Sequence, residues 1–179
     1  MAKMTITEAL SEVNLIKKKI EKKAEFLKGN TARPEHLKDM FEADGGSLVK
    51  NGAEIQAVDD LYARLVKIRS AIAQANLANE ITLNEKTMPI QDWLTWKREV
   101  ATNVIGLTQA IHKSVKRTLD DAMTQPKVYK DEQGNTHLLK VVPCFDYAGL
   151  IKKEENLTAL LEQLDGKLSL KNATILVDV

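Results

Sequence analysis

The chain has a single cysteine, Cys144, so it can build neither an internal disulfide framework nor a metal site of cysteines alone. An unpaired thiol points to a reducing, cytoplasmic compartment. No run approaches the roughly 18–20 apolar residues of a membrane span, and the start, Met1 to Thr5, leads into a charged amphipathic segment and not the apolar core of a signal peptide. Aromatic residues make up only 4% of the 179, so a core must be assembled from Leu, Ile, Val and Ala. That mixture suits helices better than a β-sandwich. Charge of one sign is also lacking: 26 basic residues face 25 acidic ones, for a formal net charge of +1. Nothing global draws the chain to nucleic acid or to anionic membranes.

The residues that are present write a helical pattern. Thr5-Ile6-Thr7-Glu8 is a capping box, in which the threonine hydroxyl and the glutamate satisfy the free amides of a helix start. Ile6, Leu10, Val13, Ile20, Ala24 and Leu27 then form one stripe, and Gly29-Asn30 supplies the stop. Residues 30–52 read as a loop, with one helical turn around His36 to Phe41. A second helix is predicted from Ala53 to Ala75, with Ile55, Val58, Leu61, Leu65, Ile68 and Ile72 inward; Asn76 breaks it, and Glu80 to Leu83 forms a short strand.

Thr87-Met88-Pro89 opens a third helix, whose stripe is Ile90, Trp93, Leu94, Val100, Val104, Leu107, Ile111, Val115 and Leu119. From Met88 to Met123 it would be about 54 Å long, more than a small compact domain can cover, which suggests an elongated bundle or a partner chain. Lys127 to Lys130 and Thr136 to Val142 flank a turn and predict a β-hairpin. Asp146 caps a fourth helix carrying Tyr147, Leu150, Leu157, Leu161, Leu164 and Leu168, and Thr174 to Val179 is a terminal strand.

The fold expected for residues 1–179 is therefore mainly α, an elongated four-helix bundle of two helical hairpins with short β-strands and one β-hairpin, read as a single helical domain. The halves 1–84 and 85–179 rhyme, each with a long helix ending at asparagine before a short β segment. Duplication and coincidence explain that equally well.

Three elements also resemble a known family: Ile6-Thr7-Glu8-Ala9-Leu10 with the basic helix after it, Ile72 to Ala78, and Leu164-Asp165 through Asn172-Ala173-Thr174. Together they are similar to the septicolysin-like family of small bacterial helical proteins. Ala75 stands where that pattern usually has threonine, Ala173 where it has tryptophan, and Leu170 near its usual glutamine. The resemblance implies the helical fold. Its motifs are structural, so it assigns no catalytic role to any residue. The family name implies a pore-forming toxin. The hairpin near Val128 to Val142, however, carries Lys127, Lys130, Asp131, Glu132 and Lys140 and is too short to cross a bilayer twice.

No catalytic constellation is legible. His36, His112 and His137 have no metal-ligand spacing, and Cys144 has no base beside it that the sequence can place. Around Asp44-Gly45-Gly46 there is no phosphate-cradling glycine motif. The reading is a non-enzymatic, self-associating helical interaction or scaffolding protein without cofactor or metal. The alternative is an oligomeric small-molecule binding protein that sequesters an anionic metabolite or nucleotide between subunits. Its candidate residues are Trp96, Lys97 and Arg98, a stacking platform beside cations, and the band His112, Lys113, Lys116 and Arg117. A second band is Arg64, Lys67 and Arg69. The plainer reading of each is a core tryptophan, an interface tryptophan or a solvated helix face.

Overall fold

Thr5 accepts from the Glu8 amide (3.2 Å) while the Glu8 carboxylate accepts from the Thr5 amide (2.7 Å), so the first helix starts on the capping box written in the sequence. The computed structural model describes residues 3–179. Helices account for 69% of the chain, which makes the fold mainly α. The chain parts into two compact units, one of residues up to Glu80 together with Leu168–Val179, the other Ile81–Lys167.

In the first unit, β1 (Lys3–Thr5) leads into α1 (Ile6–Gly29), and α2 (Ser47–Ala78) returns against it. Lys23 pairs with Glu54 and Arg64 with Glu12, a crossing of numbers that only antiparallel helices give. Ile6, Ala9, Val13 and Ile16 of α1 pack with Ile68 and Ile72 of α2 and with Val177 and Val179 from the end of the chain. That last segment is β6 (Leu176–Asp178), antiparallel to β1 with Lys3 opposite Asp178 and Thr5 opposite Leu176. It starts later than predicted because α5 (Tyr147–Thr174) continues to Thr174.

Two boundaries of α2 differ from the sequence reading, and both have a physical reason. The helix begins at Ser47, before the predicted Ala53, because a remote side chain caps it. Its N-cap residue is Gly46 at φ +94°, which has no side chain to offer. The Asp39 carboxylate takes that role, accepting from the Ser47 amide (2.8 Å), the Ser47 hydroxyl (2.6 Å) and the Phe41 amide (2.9 Å). At the other end the helix runs through Asn76 and stops at Asn79, whose side chain donates to the Ala75 carbonyl. The loop between the helices holds one 3-10 turn at Glu42–Asp44, later than the turn expected around His36 to Phe41.

The bonds from Ser47, followed by those from Phe41 and the nearby Arg33, lower the Asp39 carboxyl to about 2. A depressed folded value means that Asp39 stabilises the fold fully above its unfolded value near 4 and that this support is lost as pH falls towards about 2. Asp39→Asn is expected to flatten the acid limb of the stability profile between those limits, measured as urea midpoints against pH. An unchanged acid limb would contradict the capping role.

In the second unit, β2 (Glu80–Leu83) pairs with β3 (Lys86–Pro89), a strand absent from the sequence reading. The two residues between them, Asn84 (φ +45°) and Glu85 (φ +65°), both adopt left-handed backbone, the signature of a type I′ turn. Glutamate is a poor choice there, so Glu85→Gly is expected to stabilise the protein by up to about 1 kcal/mol. A lowered melting midpoint would contradict that turn.

From β3 the chain enters one continuous rod: α3 (Ile90–Thr95), a π-helical segment (Trp96–Ala101) and α4 (Thr102–Thr124). The Thr102 hydroxyl bonds the Lys97 carbonyl five residues back, marking the wider turn. The buried side chains of the rod are Ile90, Trp93, Ala101 and Thr108; Val100 and Leu107, predicted inward, are exposed. Each lies one position off the inward phase, which falls on the small residues Ala101 and Thr108 instead. Trp93 is buried with its indole N–H donating to the Ile81 carbonyl (2.8 Å).

Beyond the rod, β4 (Val128–Lys130) and β5 (Thr136–Leu138) form the predicted hairpin, its second strand ending at Leu138 and not at Val142, closed by Asp131 accepting from the Gln133 and Asn135 amides. The first part of α5 then runs antiparallel to the rod: Lys97 meets Asp165, Gln109 meets Glu154, and His112 meets Tyr147. Among the described residues no helix is long and apolar enough to cross a membrane.

Candidate functional site

The residues first singled out for an anionic ligand fall into two groups on the rod. Trp96 is half-buried and edge-on to Trp93, ring centroids 5.5 Å apart. Beside it Lys97 is paired with Asp165 and Arg98 with Glu99 (2.8 Å). One group of turns further on, His112 Nε2 shares a hydrogen bond with the Tyr147 hydroxyl (2.7 Å), Lys113 and Lys116 are exposed, and Arg117 stands 3.8 Å from Asp121. Trp96 and His112 are sixteen positions apart along one helical rod, about 24 Å. Within one chain the two groups do not meet around a small molecule.

The groove that His112 helps to line is also of the wrong sign for an anion. A shallow groove of about 450 Å³ beside it is lined by Glu154, Glu155 and Glu162. The other two histidines are equally ordinary. His36 is exposed on the loop, and His137 Nε2 donates to Asp131 (2.7 Å) while its ring stacks on Tyr129. That bond from His137, with those from Asn135, holds the Asp131 carboxyl below its ordinary value. Cys144 is exposed. Among the described residues, no three of His, Cys, Asp and Glu converge as metal ligands would.

The cationic band on α2 is divided as well. Arg64 forks onto the Glu12 carboxylate of α1 (2.9 and 3.3 Å), whereas Lys67 and Arg69 are exposed. They flank the feature that sequence reasoning missed. Leu48, Ile55, Tyr62, Val66 and Leu77 are 92, 52, 50, 67 and 59% exposed, and their spacing places them on one face of α2. Gly52, Asp59, Ser70 and Ala73 complete the same stripe, all exposed. This face lies roughly opposite the one that carries Ile68 and Ile72 into the core. Ile55, predicted inward, therefore belongs to the outside.

A signal for it existed in the sequence: an apolar step of seven from Leu48 to Ile55 to Tyr62, then four to Val66. A helix that starts at Ala53 excludes Leu48 from the series, and Ile55 alone fits an inner face as well as an outer one. The physical consequence is a helix with two apolar faces, of which only one packs against α1 and the end of the chain. An apolar strip of that kind, interrupted here by Asp59 and Ser70, marks a candidate interaction surface. Comparisons with protein-family models, curated proteins and solved structures return no match for this chain.

Proposed function

We propose that the chain is a non-enzymatic helical protein that acts by association, first of all with itself, in a reducing cytoplasmic setting. The observation that carries this reading is the outer stripe of α2, whose Leu48, Ile55, Tyr62, Val66 and Leu77 are left in water on the side of the helix away from the core. Water around such a strip is displaced favourably by any matching surface, and a second copy is the surface always present at matching concentration. The septicolysin-like resemblance is consistent with the helical scaffold and adds no chemistry to it.

Sequestration of an anionic metabolite or nucleotide is the weaker reading. Lys97, Arg98 and Arg117 already stand beside carboxylates, and the groove at His112 is acidic. Static light scattering of the full chain across a wide concentration range tests the main reading. A weight-average mass rising from 20.0 kDa to a multiple of it is expected, and a strict monomer throughout would overturn it.

A further inference from the structure

We infer that the occupant of the outer α2 face is the same face of a second copy, the two helices running antiparallel about a two-fold axis between Tyr62 and Ala63. This rests on the self-association reading and specifies its surface. Three features of α2 point the same way.

The stripe maps onto itself under that axis. Leu48 comes opposite the partner's Leu77, Gly52 opposite the partner's Ala73, and Ile55 opposite the partner's Ser70. Large faces large at the ends and small faces small one turn in, while nearer the axis Tyr62 comes opposite the partner's Ala63 and Asp59 opposite the partner's Val66, so the apolar match lies at the ends of the stripe and its middle is mixed. An isologous contact of this kind closes on a dimer.

The charges beside the stripe are arranged for the same orientation. Asp60 beside the stripe and Asp59 within it precede the midpoint, and Lys67 and Arg69 on its flanks follow it, all exposed. In the antiparallel register the partner's Asp60 lies about 3 Å along the axis from Lys67, and the partner's Asp59 about 4.5 Å along it from Arg69. A parallel pair would set each acid cluster against its own copy. Exposed ion pairs add little affinity, so these groups choose direction and register while the apolar stripe supplies the attraction.

The extent is adequate. From Leu48 to Leu77 the stripe is about 44 Å long, and a helix is about 10–12 Å across with its side chains. Covering it on both copies removes on the order of 1,000 Å² from water, at the lower edge of specific interfaces. A concentration-dependent dimer follows. A membrane surface fits less well, because such helices flank their apolar face with cations, whereas here Asp59 sits inside the stripe and Asp60 beside it.

The test uses the full chain in a Cys144→Ser background, carrying either Leu48→Cys or Leu77→Cys, under mild oxidation. A disulfide-linked dimer is expected from the mixture of the two variants and from neither alone. Cross-linking of each variant with itself would establish a parallel pair and overturn the proposal. In parallel, Lys67→Glu with Arg69→Glu, and Asp59→Lys with Asp60→Lys, are each expected to weaken self-association at least tenfold, and mixing the two to restore a heterodimer. If the protein associates but neither pair of variants changes it, the α2 seam is wrong while self-association stands. A wild-type chain that stays monomeric removes both. Far-ultraviolet circular dichroism of every variant confirms that these surface changes leave the helices intact.

Discussion

Ile68→Ala is expected to cost about 2–5 kcal/mol of folding stability, whereas changing two residues on the opposite side of the same helix should cost association instead. Ile68 is fully buried and touches the side chains that join α1, α2 and the end of the chain into one core. Removing its outer carbons deletes burial and leaves a cavity that a close-packed interior fills only in part. Against a typical total of about 5–15 kcal/mol, that loss is large. Urea unfolding should show a much lower midpoint at an unchanged slope. A midpoint within error of wild type would mean that Ile68 is not a core residue.

Tyr62→Lys combined with Val66→Lys is expected to have the complementary phenotype. Both side chains are at least half exposed in the single chain, so replacing them leaves the core of the first unit untouched and helix content unchanged. Between copies, the same replacement removes the apolar surface that Tyr62 and Val66 still expose in the single chain, worth on the order of 1–2 kcal/mol each when buried, and puts charges in its place. The dissociation constant should rise on the order of 100-fold or more. An unfolded double variant would show instead that this face packs within the chain.

Local signals in the sequence were the most legible part of this fold. The Thr5–Glu8 capping box, the β4–β5 hairpin and the burial of Trp93 each depend on residues close together in the chain, and the structure has all three. Non-local devices were hidden. The start of α2 is set by Asp39, eight positions before Ser47 and across a loop, so the local glycines and Asn51-Gly52 read as loop. The β2–β3 turn uses Asn84-Glu85 where a pattern reader looks for Asn-Gly. The pairing of β1 with β6 joins the two ends of the sequence and has no periodicity to announce it.

The candidate site was less legible than the fold, again for a physical reason. Clusters such as Lys113, Lys116 and Arg117 look like binding bands because neighbours in sequence are easily seen. The carboxylates that answer the cations, Asp165 for Lys97 and Glu12 for Arg64, come from other helices. The outer stripe of α2 escaped for the opposite reason. A helix with two apolar faces has more hydrophobic positions than one stripe needs, and Ile55 alone does not say which of the two it belongs to.

The mass of the wild-type chain and of the Tyr62→Lys, Val66→Lys chain, measured side by side by sedimentation equilibrium at one concentration, tests most directly whether a second copy covers α2. The wild type should lie well above 20.0 kDa and the variant at it. Equal masses for the two would contradict the assignment of that face.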